Sequence, residues 1–75
     1  MDDYRQAWGA RIKAARKAQD WTQADLAREV GISHQMVASI EQATRVPSDA
    51  LRIRLAAALD VDVHDLFSYE QEPAA

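Results

Sequence analysis

Apolar residues recur at helical spacing from the first turns of the chain. Trp8, Ile12 and Ala15 follow at steps of four and three, the period of one face of an α-helix. They lie in a stretch from Tyr4 to Gln19 made largely of Ala, Arg, Lys and Gln, all good helix formers. The stripe predicts a first helix that ends at Gln19-Asp20. After Trp21, Thr22 stands three residues before Asp25, a weak capping-box start. Leu26, Ala27 and Val30 then give the buried side of a short second helix that stops at Gly31. Ser33 can cap a third helix, with Ile32 before it as a hydrophobic staple. Pro47-Ser48 breaks the chain and restarts it, and Leu51, Leu55, Ala58 and Leu59 form a fourth stripe up to Asp60. Asp62 and Asp65 open a last short helix in which Val63, Leu66 and Phe67 are available for packing. The segment from Glu70 to Ala75 is acidic and polar, contains Pro73 and is expected to fray. With only two glycines and two prolines, strands joined by tight turns are not expected. The pattern predicts an all-α chain of five helices, one domain over residues 1–69.

The third helix divides its faces. At about 100° per residue, Ile40 falls roughly 60° from Val37, and Glu41 about 40° on the other side of it. Gln35, Ala38, Ser39 and Gln42 lie well away from this arc. The helix is therefore expected to bury Val37 and Ile40, to turn Glu41 inward, and to show a narrow face of small and amide side chains.

The segment 23–42 places two short helices around a three-residue turn. Helices so joined cross steeply and touch near their midpoints. The contact needs a small residue, and Ala27 stands there; the turn needs a residue comfortable at positive φ, which Gly31 supplies. Leu26, Val30, Ile32, Val37 and Ile40 are the apolar positions that cement the pair. All are in phase, which predicts a helix-turn-helix.

With these residues the sequence resembles the phage repressor and Cro-type helix-turn-helix family, also called the xenobiotic-response-element family, with the λ-repressor-like fold. The likeness runs from Trp8 to Phe67. It includes Trp8-Gly9, Arg11-Ile12, Arg16-Lys17, Thr22-Gln23-Ala24-Asp25-Leu26-Ala27, Val30-Gly31-Ile32-Ser33, Val37, Ile40-Glu41, Pro47-Ser48, Leu55-Ala56, Ala58-Leu59, Val61 and Leu66-Phe67. The resemblance implies five helices, a third helix that enters the DNA major groove, and dimers that read two half-sites. The chain also departs from the family. Asp20, Ala43 and Asp60 stand where glycine is common at helix ends, and because alanine tolerates left-handed backbone poorly the third helix is expected to run on through Ala43. Arg52 replaces a leucine usual in the fourth helix, which makes it a candidate for a special surface or a salt bridge.

Charge adds a qualification. The net charge is −3, against the excess base usual in nucleic-acid binders. The acid is concentrated at the ends, however: residues 10–54 carry eight bases and five acids, whereas Asp2, Asp3, Asp60, Asp62, Asp65, Glu70 and Glu72 outweigh Arg5. Total charge neither supports nor excludes DNA. The chain has no cysteine, which removes disulfides, thiol nucleophiles and cysteine-ligated zinc. His34 and His64 are far apart with no further histidine, so no metal and no cofactor are expected. No apolar run approaches the ~18 residues of a membrane span, and the start has no cationic, apolar leader. A cytoplasmic protein without membrane attachment is expected.

Gln35 is the first candidate for base contact, because its amide offers a donor and an acceptor to adenine N6 and N7 and the matching family position reads bases. Ser39, one turn on, can reach a base or a phosphate, and Ala38 presents a methyl suited to thymine. His34, beside Ser33 at the start of the third helix, can donate to phosphate or guanine, since free backbone N–H groups there favour an anion. Thr22 and Gln23 at the start of the second helix, Ser33, and Gln42 with Arg45 after the third are candidates for phosphate contact. Each has a plainer alternative as a cap or a solvated side chain. The resemblance pairs Glu41 with Arg16, an ion pair in keeping with the cost of burying a lone carboxylate. It also places the end of the fourth helix and the fifth beside a partner subunit, which makes Val61, Val63, Leu66, Phe67 and Tyr69 candidates for a dimer interface; the alternative is that they only close the core of one chain.

No nucleophile–base set or paired-carboxylate site can be built here, so an enzyme is not expected. The expected function is a sequence-specific transcriptional regulator that binds a palindromic double-stranded DNA operator as a homodimer. Repression is favoured because the sequence leaves no stretch for an activation domain. The alternatives are an antitoxin or restriction-modification controller of the same fold, with a toxin or other protein partner for the former, and a protein-interaction module that has lost DNA binding.

Overall fold

The computed structural model describes residues 4–69, and the segment 70–75 expected to fray lies outside them. Five helices follow in order: α1 Tyr4–Ala18, α2 Gln23–Val30, α3 His34–Glu41, α4 Asp49–Leu59 and α5 Val63–Leu66. Each boundary after α1 has a local cause. Thr22 and Asp25 close a complete capping box, Thr22 Oγ1 accepting from Asp25 N at 3.0 Å while Thr22 N donates to Asp25 Oδ2 at 2.8 Å. That backbone N–H, with the Thr22 hydroxyl, holds the Asp25 carboxyl below its ordinary range. Ser33 caps α3 through Met36 N, Ser48 caps α4 through Leu51 N, and Asp62 caps α5 through His64 N.

The helix ends share one device. After α1, Trp21 N reaches Arg16 O and Asp20 N reaches Lys17 O; after α3, Thr44 N reaches Ser39 O and Ala43 N reaches Ile40 O; after α4, Val61 N reaches Ala56 O and Asp60 N reaches Ala57 O. These are the paired bonds of a Schellman ending, which require a left-handed residue at the turn. Asp20, Ala43 and Asp60 occupy it at φ 60°, 66° and 58°, and Gly31 ends α2 at φ 80°. The expected continuation of the third helix through Ala43 is thereby corrected. α3 stops at Glu41, and two backbone bonds, with Thr44 Oγ1 donating to Ser39 O at 3.0 Å, offset the strain of alanine in this region.

α1 lies across α3, α2 packs on α3 and α4, and α5 closes the open end against α4 and α1. Trp8, Ile12, Leu26, Val37, Leu55, Leu59 and Leu66 fill the centre. The crossing of α1 and α3 is close at Gly9, where a Cβ would stand 2.5 Å from the carbonyl oxygen of Glu41. Arg52, in place of the usual leucine, covers the core from outside. Its guanidinium lies 5.0 Å from the centre of the Trp8 ring, pairs with Asp49, and bonds the Tyr69 hydroxyl, which raises its pKa.

Candidate nucleic-acid interface

α3 shows outward the face its sequence predicts. Val37 and Ile40 are buried, Gln35 and Gln42 are exposed, and Ala38 and Ser39 are partly exposed between them. Because α3 is pinned on its inner side by α1 and α2, the outer strip of Gln35, Ala38 and Ser39 is held rigidly.

The pinning is polar as well as apolar. The Glu41 side chain is only 3% exposed, and Arg16 Nε donates to its Oε2 at 2.7 Å and Nη2 to its Oε1 at 3.1 Å. Arg16 Nη1 also donates to the carbonyl of Trp21 at 2.8 Å. The bond to Glu41 raises the Arg16 pKa, against the opposing effect of burial. The ion pair joins α1 to α3 and fixes the chain entering α2.

Gln23 extends this network. Its Nε2 donates to Glu41 Oε1 at 3.0 Å, and its Oε1 meets His34 Nε2, also at 3.0 Å. An ionised carboxylate only accepts, so the amide nitrogen faces Glu41 and the amide oxygen faces the imidazole. His34 Nε2 therefore carries the proton and donates it inward. With Nε2 engaged by Gln23, Nδ1 is the ring nitrogen left to meet a further partner. The series Arg16, Glu41, Gln23, His34 links three helices, and nothing in the spacing of these residues along the chain announces its last two bonds.

The other candidates fall around this centre. Thr22 and Gln23 line a cleft of about 680 Å³ with Arg16, Lys17, Asp20, Trp21, Ala24 and His34, at the start of α2 and beside the start of α3. Thr22 Oγ1 is spent on capping and Gln23 on the network, so the Lys17 ammonium, backbone N–H groups of the first turn of α2, and the second amide hydrogen of Gln23 are what the cleft offers an anion. Ser33 Oγ accepts from Met36 N as a cap and keeps its own O–H to donate. Arg45 is exposed and stands with Ser33, Gln35, Met36 and Ser39 around a shallow hollow of about 150 Å³. The turn between α2 and α3 is secured from behind by Arg54, which donates to Val30 O, a bond with no signal in the sequence.

The five dimer candidates separate. Leu66 and Phe67 are 2% and 6% exposed within a single chain, so their side chains mainly close the core, with an edge of Phe67 reaching the groove beside Val63 and Tyr69. Val61 and Val63 are half-buried against that core, and Tyr69 is 64% exposed. Ile53 on α4, which the apolar stripe left unassigned, is 61% exposed and shares a groove with Val63 and Tyr69. Among the described residues no helix is long and apolar enough to cross a membrane.

Comparison with known proteins agrees with this arrangement. Residues 12–66 match the family described as Helix-turn-helix, of the Cro/C1 type. An HTH-type transcriptional regulator of Bacillus subtilis, YazB, is 37% identical over 59 residues, covering 79% of this chain and 86% of its own. The restriction-modification controller protein C.AhdI of Aeromonas hydrophila superposes with a TM-score of 0.80 at 30% identity, over 84% of this chain and 96% of its own. The hypothetical transcription factor NHTF of Neisseria superposes with a TM-score of 0.83 at 26% identity, over 87% and 75%. A pair of capped helices packed together around a tight turn, an outward strip of small and amide side chains, and a family match across most of the molecule lead to one conclusion: the chain belongs to the Cro/C1-type helix-turn-helix family of DNA-binding transcription regulators.

Proposed function

We propose that this chain is a repressor that binds a palindromic double-stranded operator as a homodimer, with α3 lying in the major groove. The observation that carries the reading is the strip of Gln35, Ala38 and Ser39 on α3, exposed or partly so on a helix whose opposite face is locked by Val37, Ile40 and Glu41. Gln35 presents an amide to adenine, Ser39 a hydroxyl to a base or phosphate, and Ala38 a methyl to thymine. Backbone N–H groups at the starts of α2 and α3, around Thr22, Gln23 and Ser33, hold phosphates, and Gln42 holds one beyond the end of α3. These contacts position the protein, and the side chains of α3 supply specificity. His34 acts on DNA through Gln23, whose amide it orients.

The second copy docks on the face where Ile53, Val63 and Tyr69 stand together, beside Val61. Ile53, Val63 and Tyr69, with Phe67, border a groove of about 610 Å³ whose polar edge is Asp49, Arg52 and His64. Selection of bound sites from random duplex DNA tests both halves of the reading. The expected product is a palindromic consensus with half-site centres about 34–36 Å apart, one helical turn. A single unpaired half-site would remove the dimer, and no consensus would remove sequence-specific binding. The likeness to C.AhdI favours one further reading within the same mechanism, control of a restriction-modification system. Selected sites lying upstream of an endonuclease and methyltransferase pair would support it.

A further inference from the structure

The loop that leaves α3 turns back along it. With Ala43 left-handed at φ 66°, Thr44 is tied to Ser39 O twice, by its backbone N–H at 2.9 Å and its hydroxyl at 3.0 Å. These bonds deliver the next residue, Arg45, to the hollow it shares with Ser33, Gln35, Met36 and Ser39. The hollow contains no carboxylate. Other arginines of the chain are engaged: Arg16, Arg28 and Arg52 with Glu41, Asp25 and Asp49, Arg54 with Val30 O, and Arg11 with Ser68 O. Arg45 makes no hydrogen bond or ion pair with another described residue.

We propose that Arg45 is a specificity-determining residue that reads a guanine in the major groove, next to the base pair read by Gln35. The inference rests on the reading of α3 as the recognition helix. A guanidinium offers two parallel N–H donors that match O6 and N7 of guanine, as the glutamine amide matches N6 and N7 of adenine. An arginine needed only for phosphate could project from anywhere on the loop. This one stands at the same hollow as Gln35, with Met36 as an apolar wall, and the two bonds from Thr44 fix the backbone just before it, which lowers the ordering cost of binding. The operator half-site should accordingly pair an adenine with a neighbouring guanine.

The test is selection from random duplexes with the full chain and with Arg45→Ala, Arg45→Lys and Gln35→Ala, followed by titration of the wild-type consensus and of duplexes changed at one position. Arg45 is exposed, so both Arg45 variants should melt as the wild type does. Arg45→Ala should lose one guanine adjacent to the position that Gln35→Ala loses, with discrimination there falling by about 5- to 150-fold. Arg45→Lys should keep its affinity for scrambled DNA yet relax the guanine preference, because a point charge lacks the planar fork. If Arg45→Ala weakens cognate and substituted duplexes equally and lowers the salt slope by about one, Arg45 grips phosphate and the proposal is overturned while the reading of α3 stands. If Gln35→Ala also leaves specificity unchanged, or the wild type selects no consensus, the reading of α3 fails and this proposal fails with it.

Discussion

His34 donates its Nε2 proton to the side-chain oxygen of Gln23, 3.0 Å away, and so ties the first residue of α3 to the first residue of α2. The contact spans the two helix starts at which phosphate is expected. On the proposed reading of the interface, His34 acts as a positioning residue. His34→Ala should lower affinity for cognate and scrambled duplex alike, by about fivefold, near the ~1 kcal/mol of an ordinary hydrogen bond. Fluorescence anisotropy with both duplexes checks this; a loss confined to the cognate site would instead make His34 a base reader.

Gln35→Ala should behave in the opposite way. The expected loss is about 1–3 kcal/mol on the cognate site and almost nothing on scrambled DNA. Parallel titrations decide it, since equal losses would assign Gln35 to the sugar-phosphate backbone.

Arg16→Met should act on stability. It leaves the carboxylate of Glu41 buried with only the Gln23 amide for company and frees the carbonyl of Trp21. The expected cost is about 3–5 kcal/mol in urea unfolding. Adding Glu41→Leu should recover part of this and not all, because Gln23 and Trp21 still lack their partners. A single variant that unfolds like the wild type would show that the pair contributes little.

Ala43→Gly should stabilise the fold by about 1 kcal/mol, since an L side chain at left-handed φ costs roughly 1–2 kcal/mol and glycine gives back part of that through its freer unfolded chain. Thermal melting checks the sign. A lower melting temperature would mean that the methyl group contributes packing that outweighs the strain.

Ile53→Glu should leave the monomer fold intact, because the side chain is 61% exposed, and should abolish dimers in sedimentation analysis together with cooperative operator binding. Unchanged dimers would move the interface elsewhere.

What the sequence determined by itself is local. The stripes of Trp8, Ile12 and Ala15 and of Leu51, Leu55 and Leu59, the caps at Thr22, Ser33, Ser48 and Asp62, the small Ala27 and the left-handed Gly31 all record interactions within a few residues, and such interactions leave a period or a spacing that can be read. The inward turn of Glu41 was legible for the same reason, as an angle on one helix. The tertiary structure decided the rest. Which amide would meet Glu41, which imidazole would meet that amide, that Arg54 would reach Val30 O and Arg52 would lie over Trp8 all depend on crossing angles between helices, and no spacing encodes them. Ala43 shows the boundary between the two. Its local preference argued for a longer helix, and the helix ends because two backbone bonds and the Thr44 hydroxyl together outweigh the steric preference of one methyl group. Leu66 and Phe67 show it again: the apolar pattern marked them for burial, and only the packing of α5 on α1 and α4 decided that the burial lies within one chain.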